Sequence, residues 1–161
     1  MPDFKYARGR IEESIQFIAG EIKEFDEEYS LWTWKDYQQD KKIQKLIDRT
    51  VENILTALIE VCGAFLTQKS IAVENYAQVL TKCARELGFS EEEQGRLAGL
   101  AGQRNRLAHR YLNFRWQAVS AFTKSRPLIS GLLKKIMECE DEQKTAEEQA
   151  EQQSPEKGKE G

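Results

Sequence analysis

The chain has 161 residues, of which 40% are hydrophobic and 32% are charged, and its net charge is −3. This length suits one domain with a sizeable hydrophobic core and requires no multidomain architecture. Residues 140–161 hold eight acidic and three basic side chains, so the preceding part of the chain is mildly basic. That balance does not oppose binding to a polyanion, but it excludes the dense positive surface of dedicated nucleic-acid-binding domains.

Three cysteines, Cys62, Cys83 and Cys139, lie far apart in the sequence and lack a second ligand at metal-binding spacing. Their odd number and spacing argue against a disulfide framework and a zinc site, and reduced thiols are typical of the cytoplasm. The N-terminal residues lack an apolar run of signal-peptide length, and no stretch reaches ~18 uninterrupted apolar residues. We therefore expect a cytoplasmic protein that does not contact a membrane.

Apolar residues recur at steps of three and four along most of the chain, which contains only three prolines. This period predicts an all-α protein, an up-and-down bundle of four to five helices. The predicted helices cover about residues 2–28, 41–67, 70–87, 90–111 and 117–139, with a bend over residues 112–116. Gly88 is expected to end the third helix in a left-handed conformation, and Pro127 is expected to break the last helix near Ser125 or to kink it.

The C-terminal segment after Cys139 is rich in Glu, Gln, Lys and Ser and carries almost no apolar side chains. Such a segment cannot bury enough surface to offset the entropy that is lost on ordering. We therefore predict a helical bundle over residues 1–139 and a disordered acidic tail over residues 140–161.

The connection between the first two predicted helices contains three large aromatic residues, Trp32, Trp34 and Tyr37. Aromatic rings in a loop can stack on nucleic-acid bases. Rings at the end of a helical hairpin more often close the core or meet a second subunit, because they bury a large area. We favour the second interpretation and assign no functional site to this cluster.

One predicted helix, from Ser90 to Tyr111, carries the only histidine of the chain. Ser90 and Glu93 have the spacing of a capping box, in which each side chain bonds an otherwise unpaired backbone N–H. The side that should face the core holds Leu97, Leu100, Ala101, Arg104, Leu107, Ala108 and Tyr111. An unpaired buried guanidinium is costly, so Arg104 must be paired or must open into a cleft.

A second row on the same helix holds Ala98, Gly102, Asn105 and His109. Small residues let another backbone approach closely, and a glycine inside a helix costs about 1 kcal/mol relative to alanine. Gly102 therefore indicates a close neighbour on this face, such as a second subunit.

The sequence RNRLAHRY places Arg104, His109 and Tyr111 in the order Arg-x4-His-x-Tyr. This pattern resembles the signature of the HEPN superfamily, and most closely that of the HepT-like toxins. The resemblance extends over roughly residues 10–135, where the order of helices is similar, and it includes the DRTVENI opening of the long second helix. The chain departs from the pattern after the tyrosine, because many relatives have an acidic residue where this chain has the sequence LNF.

The resemblance implies a metal-independent endoribonuclease that cleaves RNA or tRNA, uses no cofactor and acts as a homodimer. Arg104 and His109 would be its catalytic residues, since a guanidinium can brace a phosphate and an imidazole can transfer a proton. One histidine cannot readily be both acid and base, so two copies would share these roles across the dimer. The substrate-binding residues would be Asn105, Arg106 and Arg110.

The resemblance also implies a partner, a nucleotidyltransferase antitoxin of the MNT type that adds AMP to Tyr111. The AMP group would place a phosphodiester charge and a base beside Arg104 and His109, and so occupy the cleft that the substrate needs. In relatives, polar groups of the second helix often face the motif. We therefore expect Arg49 or Glu52 to pair with Arg104.

Two alternatives stay open. The chain could be a non-catalytic HEPN subunit that binds nucleotide or substrate for a partner nucleotidyltransferase, with Arg104 and His109 as phosphate ligands. It could also be a helical-bundle adaptor without an active site, in which His109 only interacts with the dipole at a helix end.

Overall fold

A computed structural model describes residues 10–153 of the protein. Within that range the chain forms six helices and no strand. They are α1 (Ile11–Glu28), α2 (Trp34–Gln39), α3 (Lys41–Gln68), α4 (Tyr76–Glu86), α5 (Glu91–Arg106) and α6 (Leu112–Gln153). The prediction of an all-α bundle is confirmed, and α2 adds a short helix to the number expected.

α3 is the central helix and packs against each of the others. Its most deeply buried residues include Val51, Ile54, Leu58 and Cys62, which recur at steps of three and four and form one helix face. By length and composition alone α3 could cross a membrane, but 61% of its most apolar window is buried inside the bundle. Such burial is typical of a core helix, and the other five helices pack around α3.

α1 covers one side of α3 with a regular apolar stripe. The stripe consists of Ile11, Ile15, Ile18, Ile22 and Phe25, all of which are buried. The helix ends at Glu28, as predicted. The first part of the predicted helix, over residues 2–9, lies outside the described residues.

α2 occupies most of the predicted connection between the first two long helices. Thr33 begins it with a capping box, in which the Thr33 N–H donates to the Asp36 carboxylate at 3.0 Å. Tyr37 is fully buried, and its ring centre lies 4.9 Å from that of Trp116 on α6. Trp34 is 36% exposed and stacks on Tyr37. The aromatic cluster therefore closes this end of the core, as the burial interpretation predicts.

α4 begins later than predicted, at Tyr76 rather than near residue 70. Ser70 has a left-handed backbone with φ of 58°, which interrupts the helical path. Asn75 then caps α4 by accepting a hydrogen bond from the Gln78 N–H at 2.9 Å. Gly88 has φ of 83°, so the left-handed conformation predicted after this helix is confirmed.

Cys62 on α3 and Cys83 on α4 meet in the core, although they are far apart in the sequence. Both side chains are buried. A hydrogen bond with Cys62, together with burial, raises the pKa of the Cys83 thiol well above its ordinary value. The pair is a product of the packing of α3 on α4, which sequence spacing alone does not reveal.

α6 runs through Pro127 without a break. Proline lacks the N–H that would bond the carbonyl of Thr123, one turn earlier. The Arg126 Nε donates to that carbonyl instead, at 3.1 Å, and the same guanidinium is paired with Asp26 on α1. Of the two predicted outcomes, the break near Ser125 is wrong, because the helix continues and a side chain satisfies the carbonyl that proline leaves free. The kink stays a prediction.

The C-terminal part of α6 continues to Gln153, within the segment predicted to be disordered. Residues 141–153 are exposed along their whole length. Lys144 in this part forms an ion pair with Glu12 on α1 at 2.8 Å. The division of the chain into a bundle and an acidic tail over residues 140–161 stays a prediction.

Candidate active site

α5 begins as predicted and ends early. The Ser90 N–H donates to the Glu93 carboxylate at 3.0 Å and the Glu93 N–H donates to the Ser90 hydroxyl at 3.2 Å, so the predicted capping box is confirmed. The last N–H groups bond carbonyls three rather than four residues earlier, including that of His109 to Arg106 at 3.0 Å. His109 and Tyr111 therefore lie in the bend between α5 and α6, outside the helix predicted to hold them.

The core-facing side predicted for this helix is correct as far as the bend. Four of its residues, Leu97, Leu100, Ala101 and Leu107, are buried. Ala108 and Tyr111 are exposed, because the chain has left the helix before it reaches them. α6 begins directly afterwards at Leu112, so residues 112–116, predicted as a bend, form its first turn.

Arg104 is half-buried and contacts two other helices. Its Nε donates to the hydroxyl of Thr56 on α3 at 2.8 Å, and its guanidinium carbon lies 5.7 Å from the ring centre of Tyr76, the first residue of α4. The predicted pairing with Arg49 or Glu52 is therefore wrong. In the described part of the chain no carboxylate is paired with Arg104 and neither Nη atom has a hydrogen-bond partner. The guanidinium keeps its charge and the Nη donors that suit a phosphate.

His109 is exposed in the bend and contacts two aromatic rings. Its imidazole stacks on Tyr111 with 4.9 Å between ring centres, and it meets the Phe114 ring edge-on at 4.8 Å. The Tyr111 N–H donates to Nδ1 at 3.3 Å, which places the proton of the neutral imidazole on Nε2. Nε2 is therefore the nitrogen that can exchange hydrogen bonds with a ligand.

Two arginines lie against the same rings. The Arg110 Nη2 donates to the Tyr111 hydroxyl at 3.0 Å, and its guanidinium carbon is 5.0 Å from the centre of that ring. Arg106 bonds a glutamine on α6, and its guanidinium carbon is 6.0 Å from the Phe114 ring. Asn105 is exposed on the last turn of α5. Positive charge and aromatic faces are thus combined at the bend.

The motif residues fall into two groups. The first, the bend cluster, contains Arg106, His109, Arg110, Tyr111 and Phe114. The second, the Arg104 group, contains Arg104, Thr56 and Tyr76. Among residues 10–153, no hydrogen bond or ring contact joins the two groups.

Both groups nevertheless begin on the last turn of α5, which holds Arg104 and Arg106. Arg115, in the first turn of α6, donates to Asp48 on α3, whereas Arg104 donates to Thr56 on the same helix. Those two α3 residues are separated along the helix by about 12 Å. The two groups therefore follow one another along the chain, although no hydrogen bond or ring contact among residues 10–153 joins them.

A buried ionic network fixes the start of α6. The Arg115 Nη1 donates to Asp48 Oδ2 at 2.7 Å, and the Tyr37 hydroxyl donates to Asp48 Oδ1 at 2.6 Å. Burial raises the pKa of Asp48, and burial together with the Asp48 hydrogen bond raises the pKa of Tyr37. Sequence reasoning missed this network. No local pattern marks it, since its partners are distant in the sequence.

The candidate site offers a cation whose Nη donors have no partner in the described part of the chain, an accessible imidazole nitrogen and aromatic faces. That combination suits an anion that carries a flat ring, which is the chemistry of a nucleotide. Within the described residues no three His, Cys, Asp or Glu side chains are grouped so that they could hold a metal ion.

The family model for HepT-like ribonucleases matches residues 15–136, a range that takes in all or part of every helix and both groups of the candidate site. No curated protein matches the chain. The matched range contains Arg104, His109 and Tyr111 in the order Arg-x4-His-x-Tyr. On this match, the chain belongs to the HepT-like ribonuclease family of the HEPN superfamily.

Proposed function

We propose that this protein is a metal-independent endoribonuclease toxin that cleaves RNA or tRNA in the cytoplasm, with Arg104 and His109 as its catalytic residues. One observation carries the proposal. In a chain of a ribonuclease family, an exposed imidazole follows, five residues later in the sequence, an arginine that pairs with no carboxylate of residues 10–153. Those are the two groups that phosphodiester cleavage needs when the ribose hydroxyl is the nucleophile.

The proposed reaction transfers two protons. A base removes the proton of the ribose 2′-hydroxyl, and the 2′ oxygen attacks phosphorus. The bond from phosphorus to the 5′ oxygen breaks, the 5′ oxygen takes up a proton, and a 2′,3′-cyclic phosphate remains. General acid–base catalysis of this kind contributes typically about 10²- to 10⁴-fold.

His109 transfers one of these protons through Nε2. The hydrogen bond from the Tyr111 N–H to Nδ1 selects the tautomer that donates from Nε2. The opposite role requires a second imidazole, because one ring cannot give and take a proton in the same step. A homodimer supplies that second copy of His109, and the exposed position of the bend cluster leaves room for it.

Arg104 binds the phosphate through its two Nη groups, which have no partner among residues 10–153, and stabilises the charge that develops on the phosphoryl oxygens. Electrostatic stabilisation by one such donor is worth about 10²- to 10³-fold in rate. Asn105, Arg106 and Arg110 are exposed beside the bend and are proposed to contact the substrate backbone. Arg106 and Arg110 would exchange their present side-chain partners for phosphate oxygens.

Control by a nucleotidyltransferase antitoxin of the MNT type completes the proposal, with AMP transferred to the hydroxyl of Tyr111. That residue is 49% exposed, and its hydroxyl accepts a hydrogen bond from Arg110. The added phosphate would stay close to Arg110, and the added adenine could stack beside His109. Both would occupy the surface that RNA is proposed to use.

The test is cleavage of labelled RNA by the purified protein in EDTA. The wild type is expected to cleave, and His109→Ala is expected to lose about 10²-fold or more. His109→Asn is the matched control, because its side-chain oxygen can still accept the Tyr111 N–H while it cannot transfer a proton; it should lose the same activity. Cleavage that survives both substitutions would overturn the proposal.

A second assay separates the toxin from a non-catalytic subunit. Co-expression with a nucleotidyltransferase encoded beside this gene is expected to restore growth, and Tyr111→Phe is expected to remain toxic in its presence. Absence of both cleavage and toxicity, with nucleotide binding that depends on Arg104 and His109, would instead favour a HEPN subunit that serves a partner nucleotidyltransferase.

A further inference from the structure

We infer that Thr56 and Tyr76 are positioning residues that hold the Arg104 guanidinium in the orientation that binds the substrate phosphate. The inference rests on the proposed function, but it concerns residues outside the Arg-x4-His-x-Tyr motif. It starts from the two contacts of Arg104, a hydrogen bond of 2.8 Å from Nε to the Thr56 hydroxyl and a distance of 5.7 Å to the Tyr76 ring centre.

The two contacts restrict different motions of the guanidinium. The hydrogen bond fixes the Nε edge, and the guanidinium carbon lies over the Tyr76 ring. The Nη groups are left unpaired in the described part of the chain, and they are the pair that can bind a phosphate through two parallel hydrogen bonds. An arginine held in this way has less freedom to lose when the phosphate arrives.

The residues that hold Arg104 are themselves well fixed. Thr56 lies in the middle of the central helix α3, next to Leu55, which is 1% exposed. Tyr76 is the first residue of α4, directly after the capping residue Asn75. Three helices, α3, α4 and α5, therefore meet at one guanidinium.

Neither partner of Arg104, Thr56 or Tyr76, carries a carboxylate. A hydroxyl and an aromatic ring orient a guanidinium without neutralising it, whereas a carboxylate would compete with the phosphate for the same charge. Tyr76 is 43% exposed, so its ring covers Arg104 at the surface rather than filling the core. These properties favour a role in ligand binding over a role in stability.

Four variants test the inference. Thr56→Val keeps the shape and removes the hydroxyl, and it is expected to lower kcat/KM for RNA about tenfold, with most of the loss in kcat. Thr56→Ser keeps the hydroxyl and should recover most of that loss. Tyr76→Leu removes the ring face and should lower kcat/KM about threefold, whereas Tyr76→Phe keeps that face and should lose less.

A double-mutant cycle distinguishes positioning from a structural role. In an Arg104→Met background there is no guanidinium to orient, so Thr56→Val and Tyr76→Leu should cause no further loss. Equal losses in the two backgrounds would overturn the inference, because the hydroxyl and the ring would then act through something other than Arg104. The urea midpoints of Thr56→Val and Thr56→Ser, measured alongside, should agree.

An RNA with a 2′-deoxy group at the cleavage position lacks the proposed nucleophile and is not cleaved. Its binding to the variants therefore tests the inference independently of activity. If the wild type fails to cleave RNA, the proposed function fails, but Thr56→Val should still weaken binding of this analogue in the wild-type background and not in Arg104→Met. If RNA is cleaved and neither Thr56→Val nor Tyr76→Leu changes kcat/KM or analogue binding, the positioning role is overturned while the proposed function stands.

Discussion

Arg104 and Arg115 reach the same helix and meet different partners. Arg115 donates to the Asp48 carboxylate at 2.7 Å, and the two side chains are 19% and 11% exposed. Arg104 donates to the Thr56 hydroxyl at 2.8 Å and has no carboxylate partner in the described residues. An arginine neutralised inside the fold contributes to structure, whereas one that is oriented but not neutralised stays able to bind an anion.

Replacement of Arg115 tests the structural half of this comparison and has the largest expected effect. Arg115→Met should lower the free energy of unfolding by about 3–5 kcal/mol, because it leaves the buried Asp48 carboxylate without its cation. Arg104→Met should change it by less than about 1 kcal/mol, since no buried charge is left behind. Urea unfolding of the two variants side by side measures the difference. Equal destabilisation would contradict the comparison.

Replacement of Arg104 tests the functional half. Arg104→Met should lower kcat/KM for RNA cleavage by about 10²- to 10³-fold, because the developing phosphoryl charge loses its donors. Arg115→Met, assayed at a temperature where it is fully folded, should lose far less. Arg104→Lys is the matched control: it keeps a positive charge but lacks the paired donors, so it should recover only part of the activity. Full recovery by lysine would show that charge alone is needed.

The parts of the fold that sequence predicts well are those specified by neighbouring residues. The capping box of Ser90 and Glu93 joins residues three apart, and the left-handed position of Gly88 follows from its missing side chain. The apolar period of α1 and α3 likewise reflects only helix geometry. In each case the physical cause lies within one or two helical turns, so the pattern is visible without the rest of the molecule.

The parts that sequence predicts poorly depend on contacts between distant residues. Nothing local ends α5 before His109, because the sequence there has neither glycine nor proline. The partner of Arg104 is Thr56, 48 positions away, and the cation that pairs with Asp48 is 67 positions away. The motif therefore identified the catalytic candidates by residue type, while their division into two groups required the structure.

The pH dependence of stability tests the part of the comparison that concerns Arg115 and its partner Asp48. Burial raises the pKa of Asp48 above its ordinary value of 3.8, so the folded state takes up a proton more readily than the unfolded state. Stability from this group is therefore greatest at low pH and falls as pH rises through the folded-state pKa. Removing Arg115 takes away a charge that favours the carboxylate, so the pKa should rise further.

The expected result is that Arg115→Met loses more stability, relative to the wild type, at pH 7.5 than at pH 5, by roughly 1 kcal/mol. Urea unfolding at the two pH values measures it. Adding Asp48→Asn to Arg115→Met removes the titrating group, so the gap between the two pH values should shrink. A gap of the same size in the double variant would assign the pH dependence to another residue.

Arg126 extends the comparison to a third arginine, whose acidic partner is half-exposed. Its ion pair with Asp26 joins side chains that are 25% and 46% exposed, so solvent screens most of that attraction. What remains is the hydrogen bond from Nε to the Thr123 carbonyl, which Pro127 leaves without its usual donor, and a contact of the guanidinium carbon with the Phe25 ring at 5.7 Å. Arg126→Met should therefore cost about 1 kcal/mol of unfolding free energy, well below the cost at Arg115.

The same substitution in a Pro127→Ala chain decides between these two contacts. Alanine restores the backbone N–H to Thr123, so Arg126→Met should then cost little, although Asp26 still loses its partner. If the cost is unchanged by Pro127→Ala, the ion pair with Asp26 or the contact with the Phe25 ring, and not the carbonyl, accounts for it. In that case solvent exposure would be a poorer guide to the contribution of an arginine to stability than the contrast between Arg104 and Arg115 indicates, since contacts with a partly exposed guanidinium would stabilise the fold measurably despite screening by solvent.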